Sequence, residues 1–137
     1  MSWKTHIFPS VIQLSQVDSL GHMNNVAYFQ LFEDARWDMI IAHNYGADVI
    51  KSTQQGPVIL AIETQFKKEV LLGDKVFVES LTQSYEGKIL KLLQELKSED
   101  GEVHCSALYT IGLFDMQARR LIPPTPEWLH ACGYIDP

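Results

Sequence analysis

Cysteine is scarce in this 137-residue chain: there are two, Cys105 and Cys132. They stand far apart, with no CxxC spacing and no metal-ligand neighbours in sequence, so neither a disulfide framework nor a zinc cluster is expected. Long apolar runs are missing too. The richest, Val58 to Ile62, falls far short of a membrane span, and Lys4, His6, Pro9 and Gln13 interrupt the N-terminal stretch where a signal peptide needs an apolar core. Positive charge is in deficit, with 11 Lys and Arg against 17 Asp and Glu and a net charge of −6. That balance argues against a nucleic-acid groove, although a few local basic residues can still hold a small anion. No GxSxG elbow, GxGxxG loop, P-loop or HExxH motif occurs, which removes serine hydrolases, nucleotide binders and zincins. His6, His43, His104 and His130 are scattered. The expectation is a cytoplasmic, reduced protein with no metal site, no nucleic-acid partner and no membrane contact.

What is present fits one ordinary core. Length and a 46% hydrophobic content point to a single domain over residues 1–137. Alternation over Val11 to Val17 predicts a first strand, near a sheet edge because of Pro9. Turn and cap residues from Asp18 to Asn24 then precede an apolar stretch free of Gly and Pro up to about His43, which predicts a long helix starting at Asn24 or Asn25. Its apolar residues reach well around the cylinder, so it needs cover on more than one side. After Gly56 and Pro57 the period switches to two: Val58 to Lys68, Val76 to Ser84, Ile89 to Lys97 and Val103 to Phe114, separated by Gly73-Asp74, Glu86-Gly87 and Asp100-Gly101 turns. Pro123, Pro124 and Pro126 end the sheet, and Glu127 to Ala131 predict a terminal helical turn. The class is α+β: a curved antiparallel sheet of about five strands wrapped around one long central helix. Its exposed edge strands invite association with a second copy.

Chemistry concentrates between Val17 and Tyr28. There a carboxylate (Asp18), an imidazole (His22) and two amides (Asn24, Asn25) occupy a loop that opens a helix, where unpaired N–H groups and the positive dipole end collect. Such a place suits a developing oxyanion, and equally an ordinary cap and turn. Asp18, Gly21, His22, Asn24, Asn25, Tyr28, Glu33 and Arg36 resemble the D-x-x-G-H-[MV]-N-N-x-x-Y…E-x-x-R signature of hot-dog-fold acyl-CoA thioesterases, the 4-hydroxybenzoyl-CoA thioesterase-like group. The likeness is specific over residues 11–45 and loose to about Phe114. The H-x-N-N portion also looks like plant acyl-ACP thioesterases, which join two such domains.

The resemblance implies a thioester hydrolase releasing a carboxylic acid and CoA, with CoA part of the substrate and no separate cofactor. It implies a homodimer or homotetramer with active sites at subunit contacts. Asp18 becomes the catalytic carboxylate, as nucleophile or general base, and the Gly21/His22 backbone the oxyanion donor. Some bacterial relatives carry a catalytic histidine where Asn25 stands, so His22 and Asn25 are both candidate partners of Asp18. Asn24 and Tyr28 are candidate substrate contacts, though Tyr28 also reads as helix packing, as does Trp37. Lys67 and Lys68, with Arg119 and Arg120 behind them, are candidate holders of CoA phosphates. Glu33 and Arg36, at i,i+3 spacing, read as a helix-surface ion pair, and Cys105 as core. A dehydratase or hydratase acting on acyl thioesters, an acyl-ACP thioesterase and a non-catalytic thioester-binding domain are the alternatives.

Overall fold

Asn24 does what its side chain favours: it starts a helix. In the computed structural model, which describes residues 1–136, its backbone is extended and its Oδ1 accepts the Ala27 N–H at 2.9 Å, satisfying one donor that a helix start leaves unpaired. The helix α1 then runs over Asn25–Ala42. In chain order around it lie β1 (Ser2–Trp3), β2 (His6–Val11), α2 (Ala47–Thr53), β3 (Gln55–Phe66), β4 (Lys75–Glu86), β5 (Ile89–Ser98), β6 (Val103–Asp115), β7 (Arg120–Ile122), α3 (Pro126–Ala131) and β8 (Tyr134–Ile135).

The main sheet is antiparallel in the order β2-β4-β5-β6-β3, with β7 also paired to β6; β1 and β8 form a separate two-stranded pair. Period two decides which face is inner. Val76, Val78, Ser80 and Thr82 of β4, Leu90, Leu92, Gln94 and Leu96 of β5, and Ala107, Tyr109 and Ile111 of β6 are all buried, while the residues between them are partly exposed. Against that face α1 places Ala27, Tyr28, Leu31, Phe32, Ala35, Met39 and Ile40. Burying each large apolar side chain contributes about 1.5–3 kcal/mol.

One polar bolt crosses this interface. Gln94 is fully buried; its Nε2 donates to the Phe32 carbonyl and to Ser80 Oγ, both at 3.0 Å, and its Oε1 accepts Arg36 Nη1 at 2.9 Å. Every polar atom of the amide is thereby used, which fixes the rotation of α1 on the sheet.

The first strand lies earlier than the alternation predicts. Pairing with β4 occupies His6–Val11, with Pro9 on the sheet edge where a missing N–H costs little, whereas Leu14–Gln16 form a 3-10 turn held by the Gln13 N–H on Gln16 Oε1 at 2.7 Å. Ile12 and Leu14 thus imitate a strand across a bend. The short helix α2, the strand β7 and the β1–β8 pair also add to the expected elements. Among the described residues no helix is long and apolar enough to cross a membrane.

Candidate active site

The motif folds as a tight hairpin loop. Val17 and Met23 bridge, the Asp18 N–H donates to the His22 carbonyl, and the Gly21 N–H donates to the Asp18 carbonyl, each bond 3.0 Å long. Closing so short a loop needs a residue of positive φ, and Gly21 supplies it at 87°. Asp18 Oδ1 accepts the Leu20 N–H at 2.9 Å, an Asx turn that leaves Oδ2 uncommitted to the backbone. A second tie joins the loop to the segment after β3: His22 bridges Leu71, and the Met23 N–H donates to the Val70 carbonyl at 2.7 Å.

These constraints gather the predicted residues into one cleft of about 500 Å³, bordered by Asp18, His22, Asn24, Asn25, Tyr28, Lys67 and Lys68. Gly21 shapes the loop from outside that lining, and its N–H is spent on Asp18. The His22 N–H has no partner among the described residues, and neither do the Asn25 and Val26 N–H groups, which open α1 and have no intrahelical acceptor. Three donors with the positive end of a helix dipole therefore lie along the motif that carries Asp18.

Phe66 forms an apolar wall. Its ring meets Tyr28 edge-on at 5.0 Å between centroids and Phe29 at 6.5 Å. Tyr28 is almost fully buried although it reaches the cleft, and burial, with smaller contributions from Cys105 and Glu69, pushes its hydroxyl up to about 12. It stays neutral and can donate a hydrogen bond. The two lysines differ: Lys68 Nζ is 3.0 Å from Glu102 Oε2, a pairing that raises its pKa, whereas Lys67 forms no ion pair among the described residues. Glu69, which sequence patterning did not single out, faces the cleft beside His22.

The family description Thioesterase-like superfamily matches residues 12–132. The chain belongs to that superfamily. It is 27% identical over 122 residues to the L-carnitine dehydrogenase/betainyl-CoA thioesterase of Agrobacterium fabrum, a match covering 88% of this chain and 25% of that protein, so the chain spans about a quarter of that relative's length. It is 26% identical over 116 residues to the long-chain acyl-CoA thioesterase FadM of Escherichia coli, covering 77% of this chain and 80% of that one. Among solved structures, a hypothetical protein from Staphylococcus aureus in complex with CoA superposes with a TM-score of 0.87 at 19% identity, covering 96% of this chain and 83% of that one. The architecture is the hot-dog fold.

In this thioesterase-like domain the signature residues Glu33 and Arg36 lie outside that cleft. Glu33 and Arg36 do not form the ion pair their spacing predicts. Arg36 turns inward, with its guanidinium 4.1 Å from the centre of the Tyr109 ring and its Nη1 on Gln94, because the buried amide and the aromatic face suit its flat cation better than an exposed carboxylate. It lines a second, smaller cavity of about 100 Å³ with Trp37, Leu90, Leu92, Ile111 and Trp128, so Trp37 stands at a cavity mouth and not in the core. Cys105 is fully buried, and desolvation pushes its thiol up to about 12, which leaves it a core residue. Arg119 rests over Phe114 at 5.0 Å and lies outside the cleft. Among the described residues no cluster of three or more His, Cys, Asp or Glu side chains could hold a metal ion.

Proposed function

We propose that this chain hydrolyses acyl-CoA thioesters to a free carboxylic acid and CoA, with Asp18 as the reacting carboxylate. The observation that carries this reading is the position of Asp18: one oxygen is locked in the Asx turn, the other stands 3.7 Å from His22 Nε2, and the residue borders a cleft together with His22 and Asn25, whose N–H groups have no partner among the described residues. A thiolate of pKa about 8.5 leaves without strong acid help, so a carboxylate and an oxyanion hole suffice. Asp18 Oδ2 either attacks the carbonyl carbon or takes a proton from the attacking water; both routes place negative charge on the carbonyl oxygen. A single well-aimed donor there is worth about 10²–10³ in rate. His22 and Asn25 N–H groups are assigned to that oxygen, the Asn25 side chain to the water, and the Tyr28–Phe66 wall to the first carbons of the acyl group. Lys67 takes the CoA phosphates, Lys68 being committed to Glu102.

Two similar proteins named for acyl-CoA or betainyl-CoA thioesterase activity and one solved with CoA support CoA thioesters as the class while differing in acyl group. Protein groups and water carry the proposed reaction, with CoA as substrate. The protein is assigned to the cytoplasm, where two buried thiols, Cys105 and Cys132, stay reduced.

The working form is a homodimer or a dimer of dimers. The strand β3 pairs with β6 on one side and with no described strand on the other, and it exposes Ile59, Leu60, Ile62 and Phe66 along 12 residues. A long apolar edge of this kind is a template for pairing. Phe66 belongs to both edge and cleft, so a second copy on β3 borders the site. A thiol-release screen over short, long and aromatic acyl-CoAs, with sedimentation equilibrium on the same sample, tests the proposal. Thiol release from an oligomer supports it; an enoyl or hydroxyacyl product, or binding without thiol release, replaces it with a dehydratase or a binding domain.

A further inference from the structure

The imidazole of the motif is flanked by acid on both sides. Nε2 of His22 stands 3.7 Å from Asp18 Oδ2, and Nδ1 stands 3.8 Å from Glu69 Oε2. The Glu69 side chain is 63% exposed, and at such a surface two flexible side chains ordinarily drift apart. Here the main chain behind them is tied at three points. His22 bridges Leu71, the Met23 N–H donates to the Val70 carbonyl at 2.7 Å, and Nδ1–H of the buried His104 ring donates to the carbonyl of Glu69 itself at 2.9 Å. Glu69 is thereby delivered opposite His22 by the fold, from a distant part of the sequence. Carboxylates accept and do not donate, so what either one can receive from a ring nitrogen is an N–H. The other titratable groups bordering this cleft are Tyr28, Lys67 and Lys68.

We propose that Glu69 is a positioning residue for the thioesterase site: it holds the His22 ring through Nδ1, keeping Nε2–H turned to Asp18 and available to the departing sulfur. This rests on the thioester-hydrolase reading above. When the C–S bond breaks, its electron pair goes to sulfur and the thiolate takes the Nε2 proton. The ring recovers a proton from the water consumed in hydrolysis, relayed by Asp18, so the cycle returns to its start with acid and thiol as products. Glu69 touches neither substrate nor the reacting atoms.

The test combines thiol release from acyl-CoA with ¹⁵N spectra of the histidine rings, on wild type, Glu69→Gln, Glu69→Asp, His22→Gln and the Glu69→Gln/His22→Gln double variant. In Glu69→Gln the His22 Nδ1 resonance moves while those of the other histidines hold, and kcat falls about two- to fivefold, as for an exposed pair, with little change in KM. Glu69→Asp recovers most of kcat. In the His22→Gln background the Glu69→Gln change costs nothing further. An unmoved Nδ1 resonance overturns the proposal, and so does a moved resonance with unchanged kcat, or losses that multiply in the double variant. If the wild type releases no thiol from any acyl-CoA, the proposed function fails, while the Nδ1 resonance still decides whether Glu69 holds the ring.

Discussion

Replacing Asn24 by alanine separates two roles that one side chain combines. Asn24 borders the cleft, yet its Oδ1 is engaged by the Ala27 N–H, the cap on the helix whose first amides serve the site. Loss of such a cap costs about 1 kcal/mol. For a chain of this length that is a fall in Tm of about 3–5 °C. The same energy raises the frayed fraction of the first turn about fivefold, so kcat falls modestly through looser aim of the Asn25 donor. Asn24→Ser rebuilds the cap with a hydroxyl and no amide. Thermal unfolding and steady-state thiol release on Asn24→Ala and Asn24→Ser read both effects. If capping is the whole role, serine restores Tm and kcat together. A serine variant with restored Tm and a raised KM refutes that reasoning and makes Asn24 a substrate contact; an alanine variant with unchanged Tm refutes the cap.

Gln94→Leu strips partners from Arg36, Ser80 and the Phe32 carbonyl at a fully buried site, so equilibrium denaturation is expected to show a loss of about 1–3 kcal/mol. His43 sits at the α1 C-terminus, and burial lowers its pKa below the ordinary 6.5; its Nδ1–H bond to the Ala131 carbonyl opposes this, while His130, Lys4 and His6 reinforce it. The folded form thus binds fewer protons than the unfolded one, and the stability His43 contributes is complete above pH 6.5 and falls as pH drops through the lowered value. A pH series of Tm should show a shallower acid slope in His43→Gln. Lys67→Ala should raise KM for acyl-CoA and flatten its salt dependence, and Lys68→Ala should do so less, because that charge is paired with Glu102.

Local signals made part of this molecule legible. Asn24 before an apolar run, Gly21 in a short loop and the alternation after Gly56 each act through neighbours in sequence, and the cap, the positive φ and the strands β3 to β6 follow them. Long-range partners left no such trace. Gln94 draws Arg36 away from Glu33 across 58 positions, and a bridge at Leu71 brings Glu69 to His22; neither choice can be read from helical spacing. The first strand failed for a different reason. Ile12 is buried and tied by its N–H to the Asp74 carbonyl and by its carbonyl to the Gly73 N–H before the chain bends into the 3-10 turn at Leu14–Gln16, so the apolar pattern outlasts the strand that ends at Val11.

The substitution Asp18→Asn tests the assignment of chemistry most directly. Asparagine retains the Oδ1 that accepts the Leu20 N–H, so the Asx turn, the hairpin and Tm should survive. It neither attacks a thioester well nor takes a proton, so thiol release from acyl-CoA should fall by about 10²–10⁴ while acyl-CoA still binds. Free-thiol release and Tm are measured on one purified sample. The expected result is lost turnover at unchanged Tm; near-normal turnover at unchanged Tm would contradict Asp18 as the reacting carboxylate.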